Sequence, residues 1–471
     1  MNYNNELRED EIFELMEKDD INRNAYLIKL LNILNNNGIN RIFSLNGRWG
    51  TGKTIFIRKF ILLANYCSIY VEGKKRECIY DTFKDNSLLI SKLNSLTSKP
   101  EFEEFKSISS KSLINAVYFN AWEHDDEDDP IISIIYSLIR QFNLIENTKY
   151  EDSSIIDKTI DLVNIISLGK INISKNIKKE DLLERVKIKD TIKGLVQNIL
   201  DSIIKENCEK LILFIDELDR CNPLYAIKLL ERIKHYFNND RLVIVVTTNL
   251  DELSSTVSSV YGEHFSSYKY LDKFFDMKLE LPAVDKDKFI TTFDLDINKD
   301  KNAYFSIIVK DIIEYNNLEM RETSRYLSLI GHFEKKVFNG DTTGFYKQYT
   351  LNDFLLIPYI IGLYVADINK YNKFIGGNGK SDLLLFSKNN DIVIDLCKIM
   401  FYPNKSKSSL ELTNEIILED LGKFYDYIYG KNAIKTSKYG NLTIGEMEMR
   451  KYDIKKLTNS ISLLEDIKYF Q

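Results

Sequence analysis

Eight consecutive residues, Gly47-Arg48-Trp49-Gly50-Thr51-Gly52-Lys53-Thr54, fit the G-x-x-x-x-G-K-[ST] phosphate-binding pattern without a mismatch. The spacing suits a polyphosphate. The glycines let the main chain lie against an anion, and the amide N–H groups then form a cradle at the positive end of the helix that follows. Lys53 would reach the β- and γ-phosphates, and the Thr54 hydroxyl would coordinate Mg²⁺. A second constellation is Leu211-Ile212-Leu213-Phe214-Ile215-Asp216-Glu217, an apolar run that delivers two acids at its end. Open α/β sheets bind ligands at the carboxyl ends of their strands. Asp216 is placed there to hold Mg²⁺, and Glu217 to orient or deprotonate an attacking water.

Two further stretches offer polar groups to the same chemistry. Arg220, in Leu218-Asp219-Arg220-Cys221-Asn222-Pro223, would contact the γ-phosphate or a neighbouring subunit; the alternative is that it pairs with Asp219 or Glu217 and shapes the loop. Thr247-Thr248-Asn249 closes another apolar run. Asn249 and Thr248 compete to hydrogen-bond the γ-phosphate or the water, against the simpler role of capping the next helix.

These residues need a scaffold of strands and helices. Arg41 to Asn46 reads as a short buried strand entering the glycine loop, and Thr54 to about Asn65 as the helix leaving it. Ala116–Trp122, Leu211–Ile215, Leu242–Val246 and Met277–Leu281 read as further strands, the middle two apolar enough to be buried on both faces. Helices are expected over Ile131–Phe142, capped by Asp129 with Pro130 behind it, and over Tyr225–Phe237 and Asp251–Val260. The alternation predicts a parallel sheet covered on both faces. The expected organisation is a helical lead at 1–40, an α/β P-loop core at 41–285 with insertions at about 66–114 (irregular) and 145–208 (mostly helical), a helical lid at 286–340, and a mainly helical region at 341–471. The acidic run Glu123 to Asp129 has no metal-like spacing and is expected to be a solvated face at a helix start.

The chain has 471 residues, enough for about two to four domains. Its 64 basic and 70 acidic residues give a net charge of −6, which supplies no general electrostatic footprint for nucleic acid. Five cysteines, odd in number and without metal-like spacing, argue against a disulfide framework or a zinc site and fit a reducing cytoplasm. The polar, acidic start shows no signal peptide. The longest uncharged apolar run, Phe354 to Ala366, is short of the roughly 18–20 residues a membrane span needs and is expected to be core.

The motifs together resemble one family. Gly-x-Trp-Gly-x-Gly-Lys-Thr, Tyr118-Phe119-Asn120-Ala121-Trp122, Ile215-Asp216-Glu217-Leu218-Asp219-Arg220-Cys221-x-Pro223, Tyr270-Leu271-Asp272-Lys273-Phe274-Phe275-Asp276 and Arg321-Glu322-x-x-Arg325-Tyr326-Leu327 are similar to the KAP family of P-loop NTPases, over about residues 20–330. The resemblance implies an ATPase related to the AAA+ and STAND groups, with ATP and Mg²⁺ as ligands and a lid in which Arg321 reaches the nucleotide. It also implies a part in bacterial antiviral (phage) defence. A homo-oligomer or a partner effector protein is expected, since Arg220 or a lid arginine acting in trans requires a neighbour. The family often carries transmembrane helices inside this domain; this chain does not, and its 145–208 insertion is a soluble counterpart. The alternatives are a nucleotide-gated scaffold with little turnover, or an ATPase stimulated by nucleic acid. Where the family commonly has Asp after the third core strand, this chain has Thr-Thr-Asn.

Overall fold

The structure is a computed structural model. It describes residues 8–19, 22–35, 42–71, 74–75, 86–111, 113–142, 154–168, 179–293, 303–338, 351–403, 412–429 and 442–449. The end of the expected helical lead at 36–40, Arg41 and Cys78 lie outside these residues. The chain forms two compact units, Met1–Val284 and Asp285–Gln471.

The first unit is built on a five-stranded sheet of β1 (Ile42–Asn46), β2 (Ile114–Asn120), β3 (Lys210–Asp216), β4 (Leu242–Thr248) and β5 (Met277–Glu280). Their order is β2-β3-β4-β1-β5, and every pairing is parallel. The period-two side-chain alternation divides each strand between two cores. Phe43, Leu45, Ile212, Phe214, Val243 and Val245 face one side. Leu211, Leu213, Ile215, Leu242, Ile244 and Val246 face the other. Both faces are apolar, which is why β3 and β4 read as continuous hydrophobic runs.

On the first face lie α1 (Glu9–Lys18), α2 (Asn24–Asn35), α3 (Lys53–Ile69), α4 (Ser87–Thr97) and α5 (Pro100–Lys111). The opposite face carries α6 (Pro130–Gln141), α7 (Ser154–Leu168), α8 (Lys179–Asn207), α9 (Pro223–Tyr236) and α10 (Leu250–Tyr261). The leading helices therefore share a core with the sheet. The segment 66–114, expected to be irregular, is largely helical where described, because Leu89, Leu93, Leu96, Phe102 and Phe105 recur at helical spacing and are buried. The strand expected at Ala116–Trp122 runs instead from Ile114 to Asn120. Asn120 ends it: its side-chain oxygen accepts from the Trp122 N–H at 3.2 Å, and Trp122 opens a short 3₁₀ turn.

Among its described residues the second unit has one core drawn from residues 290–333 and 351–447, so the described parts of the expected lid and C-terminal region pack together. The apolar run from Phe354 is buried there through Leu363. Among the described residues no helix is long and apolar enough to cross a membrane.

Phe214 is fully buried at the centre of the sheet and meets the Phe60 ring edge-on at 5.3 Å. Phe214→Ala is expected to cost about 3–5 kcal/mol of stability, as large buried aromatics do. Denaturant titration of the two proteins checks this; a loss below about 1 kcal/mol would contradict the packing described.

Candidate nucleotide-binding site

Parallel pairing brings the ends of β1, β4 and β3 side by side, with Asn46 opposite Thr248 and Ile215 opposite Val246. The glycine loop leaves β1 on this edge, anchored by a hydrogen bond from the Gly47 N–H to the Thr248 carbonyl at 3.1 Å. Gly50 and Gly52 have φ of 78° and 82°, a left-handed backbone that L side chains resist. At Gly47 a Cβ would lie 3.1 Å from Thr51 Oγ1 and 3.3 Å from Lys53 Cγ, so the loop closes tightly there. Arg48 and Trp49 are exposed on its outer turn. Thr51 Oγ1 donates to the Arg48 carbonyl at 2.8 Å. Lys53 folds over the loop, its ammonium donating to the carbonyls of Gly47 at 2.6 Å and Arg48 at 3.2 Å. Burial lowers the Lys53 pKa, opposed by the nearby carboxylates of Asp219, Asp216 and Glu217.

Asp216 is 1% exposed at the end of β3. Its carboxylate accepts from Thr54 Oγ1 at 2.7 Å, from the Thr247 hydroxyl, and from the Tyr118 hydroxyl at 3.3 Å. The loop threonine and the strand acid, far apart in sequence, thus meet as two hard oxygen donors of the kind Mg²⁺ takes. Among the described residues no group of three or more His, Cys, Asp or Glu side chains gathers round a metal by itself. A Mg²⁺ site here would therefore complete its shell from phosphate and water oxygens, as such sites do.

Glu217 adopts a left-handed backbone (φ 60°, ψ 25°), uncommon for a residue with a side chain and a known mark of functional turns. Its carboxylate is paired with Arg220, whose guanidinium centre sits 5.5 Å from the Trp122 ring centroid. Of the two expectations for Arg220, pairing within its own loop is the one observed. Burial, and then the charge of Asp216, raise the Glu217 pKa; Arg220 opposes the shift. Trp49 Nε1–H donates to Asp219, tying the glycine loop to the turn after the acid pair.

Asn249 is the N-cap of α10, its side-chain oxygen accepting from the Asp251 N–H at 3.2 Å. Thr248 is buried with its hydroxyl 3.5 Å from the Asn249 carbonyl. The residue of this trio that reaches the acid pair is Thr247, which the sequence reading passed over. Strand alternation was the available signal: Thr247 shares a face with Val245 and not with Thr248. Tyr118 on Asp216 and Asp219 on Trp49 were also missed, since each joins segments distant along the chain.

The acidic run is not simply a solvated face. Asp129 is 2% exposed, caps α6 by accepting from the Ile131 N–H at 3.1 Å, and pairs with Lys228 at 3.3 Å and Arg232 at 2.7 Å. Asp125 accepts from the Asn222 N–H at 2.8 Å. These bonds fasten the turn after β2 to the start of α9. Arg321 and Arg325 stand on the helix Met320–Phe338 of the second unit, where the Arg325 guanidinium lies 5.3 Å from the Tyr364 ring centroid.

The sequence matches the family description "KAP family P-loop domain" over residues 23–337, two thirds of the chain. The chain belongs to the KAP family of P-loop NTPases. No curated protein matches it. KAP membership carries nucleotide binding at the level of the family, and the loop, its lysine and the acid pair occupy the edge of the sheet where such binding belongs.

Glu217 yields a stability test. With a raised native pKa, the folded chain holds its proton to higher pH than the unfolded chain does. Stability contributed by Glu217 therefore falls as pH rises from the ordinary glutamate range through the native value. Glu217→Gln removes that fall. Its melting temperature should match the wild type at acid pH and exceed it increasingly towards neutrality; the opposite trend would show that Arg220 outweighs burial.

Proposed function

We propose that the protein is a Mg²⁺-dependent ATPase whose hydrolytic cycle switches its conformation or assembly. The observation that carries this reading is the meeting of Thr54 and Asp216 at 2.7 Å, beside a lysine folded over a glycine loop. The loop amides and Lys53 bind the β- and γ-phosphates. Thr54 and Asp216 would hold Mg²⁺, which when bound neutralises phosphate charge and fixes the orientation of the phosphate oxygens. Glu217 orients the attacking water and takes its proton, and its raised pKa suits it to that task. Thr247 holds Asp216 in place. Arg220, here paired with Glu217, and Arg321, from the family resemblance, are the cations put forward for charge developing on the γ-phosphate, and Asn249, which caps α10, is a polar group just beyond β4.

A second reading, a nucleotide-gated scaffold with little turnover, is favoured by the Glu217–Arg220 pair, which occupies the base. The acid balance of the chain gives no support to stimulation by nucleic acid. The part in antiviral defence rests on the family resemblance, and action as a homo-oligomer or on an effector on an arginine acting in trans. Plaque counts on bacteria carrying the wild-type chain or its Lys53→Ala variant test the defence role; equal counts remove it.

Lys53→Ala should abolish nucleotide binding. Glu217→Gln should bind ATP with Mg²⁺ yet release phosphate at least about 100-fold more slowly. Solution mass of this variant with and without ATP and Mg²⁺ reads assembly at the same time. Hydrolysis by the Gln variant at the wild-type rate would remove Glu217 as the base. A wild-type chain that binds ATP but releases no phosphate would establish the scaffold instead.

A further inference from the structure

Among the described residues Arg23 is one of the largest fully buried side chains, and none of the motifs contains it. It sits just before α2, in a turn built to present it. The Asp19 carboxylate accepts from the Arg23 N–H at 2.9 Å and from the Asn24 N–H at 3.2 Å, and the Asn24 side chain donates to the Met16 carbonyl at 2.7 Å. From that turn the guanidinium reaches two backbone carbonyls. One terminal nitrogen donates to Thr51 of the glycine loop, the other to Pro282, just beyond β5. The segment it grips is already against the loop: the Leu281 N–H bonds the Asn46 carbonyl at 2.8 Å, and Leu281 Cβ lies 3.4 Å from where a Cβ on Gly47 would stand.

The Thr51 carbonyl and the Gly52 N–H belong to one planar trans peptide, so they point in opposite directions. A donor that fixes the carbonyl on the α2 side fixes the N–H on the other. Gly52, with φ of 82°, has no side chain to hold that peptide against rotation. Burying a guanidinium is costly unless it is hydrogen-bonded, and here two of its donors are used on carbonyls that helix and sheet leave unpaired. The forked geometry matters, because an ammonium of equal charge offers a single nitrogen and cannot span both acceptors in the same way.

We propose that Arg23 is a positioning residue of the phosphate site: by holding the Thr51 carbonyl against the Pro282 segment, it aims the Gly52 N–H into the anion cradle. This rests on the nucleotide-binding reading above. Arg23 touches no phosphate itself, so its effect is on affinity for the polyphosphate and not on the proton transfer at Glu217.

The test is calorimetric titration of the full chain with Mg·ADP and with a non-hydrolysable ATP analogue, alongside melting curves without nucleotide. Arg23→Lys keeps the charge and most of the volume. It should weaken both ligands about tenfold or more while the protein remains folded at the titration temperature. Asp19→Ala leaves Arg23 in place but loosens its turn; a loss of several-fold is expected, and this variant decides the matter if Arg23→Lys does not fold. Wild-type affinity in folded Arg23→Lys, or in folded Asp19→Ala when that variant decides, would overturn the proposal, since a merely structural arginine would lower the melting temperature and leave binding alone. A wild-type chain that binds neither nucleotide would instead overturn the reading of the site.

Discussion

Asp216 is withdrawn from solvent at the end of a strand buried on both faces, and a carboxylate in that position needs donors. Leaving such a group ionised and unpaired would cost on the order of several kcal/mol. Three hydroxyls answer: Thr54 from the glycine loop, Thr247 from the neighbouring strand on one side and Tyr118 from the neighbouring strand on the other. Each comes from a different part of the chain, so their convergence ties the order of the sheet to the chemistry at its edge. Hydroxyls also suit a site that a cation would enter, because each can turn its proton away and offer a lone pair.

The strand order follows from the same requirement. With β4 between β1 and β3, a polar residue at its end stands between the phosphate loop and the acid pair. Thr247 takes that place, and Asn249, two residues on, is past the strand and caps the helix start with its side-chain oxygen. The family commonly places an acid after this strand. A second carboxylate beside Asp216 would add repulsion, whereas a threonine hydroxyl adds a donor. The outer shell is held in the same local manner, with Trp49 bonded to Asp219 and Arg220 between Glu217 and Trp122.

Much of this was legible in the sequence, for a physical reason. The glycine loop, the apolar run before Asp216-Glu217 and the Asp129-Pro130 helix start are local patterns, and local patterns are what spacing and periodicity report. The five strands were placed to within two residues at either end. What escaped depends on contacts across the fold. Arg23 finds its acceptors 28 and 259 residues away, on backbone carbonyls that leave no trace in residue type. Thr247 looked equivalent to Thr248 until the facing of the strand was known. The acidic run looked solvated because its partners, Asn222, Lys228 and Arg232, lie about a hundred residues downstream. The helices of 66–114 were obscured by Ser and Lys clusters on their exposed faces.

The register of β1 also has a bearing on how the chain is made. Ile42 pairs with Ile244, so 244 − 42 = 202 residues separate the phosphate-loop strand from the neighbour that completes it on one side, and its other neighbour, β5, comes later still. At a synthesis rate of roughly 5–20 residues per second, β1 waits on the order of 10–40 seconds with both edges unpaired. During that interval a bare, apolar strand invites pairing with other nascent chains. The two leading helices and α3 emerge in the same window and share a core with Phe43 and Leu45. The helical lead is thus suited to act on the ribosome as a temporary cover for one face of the strand on which the whole nucleotide site is later assembled.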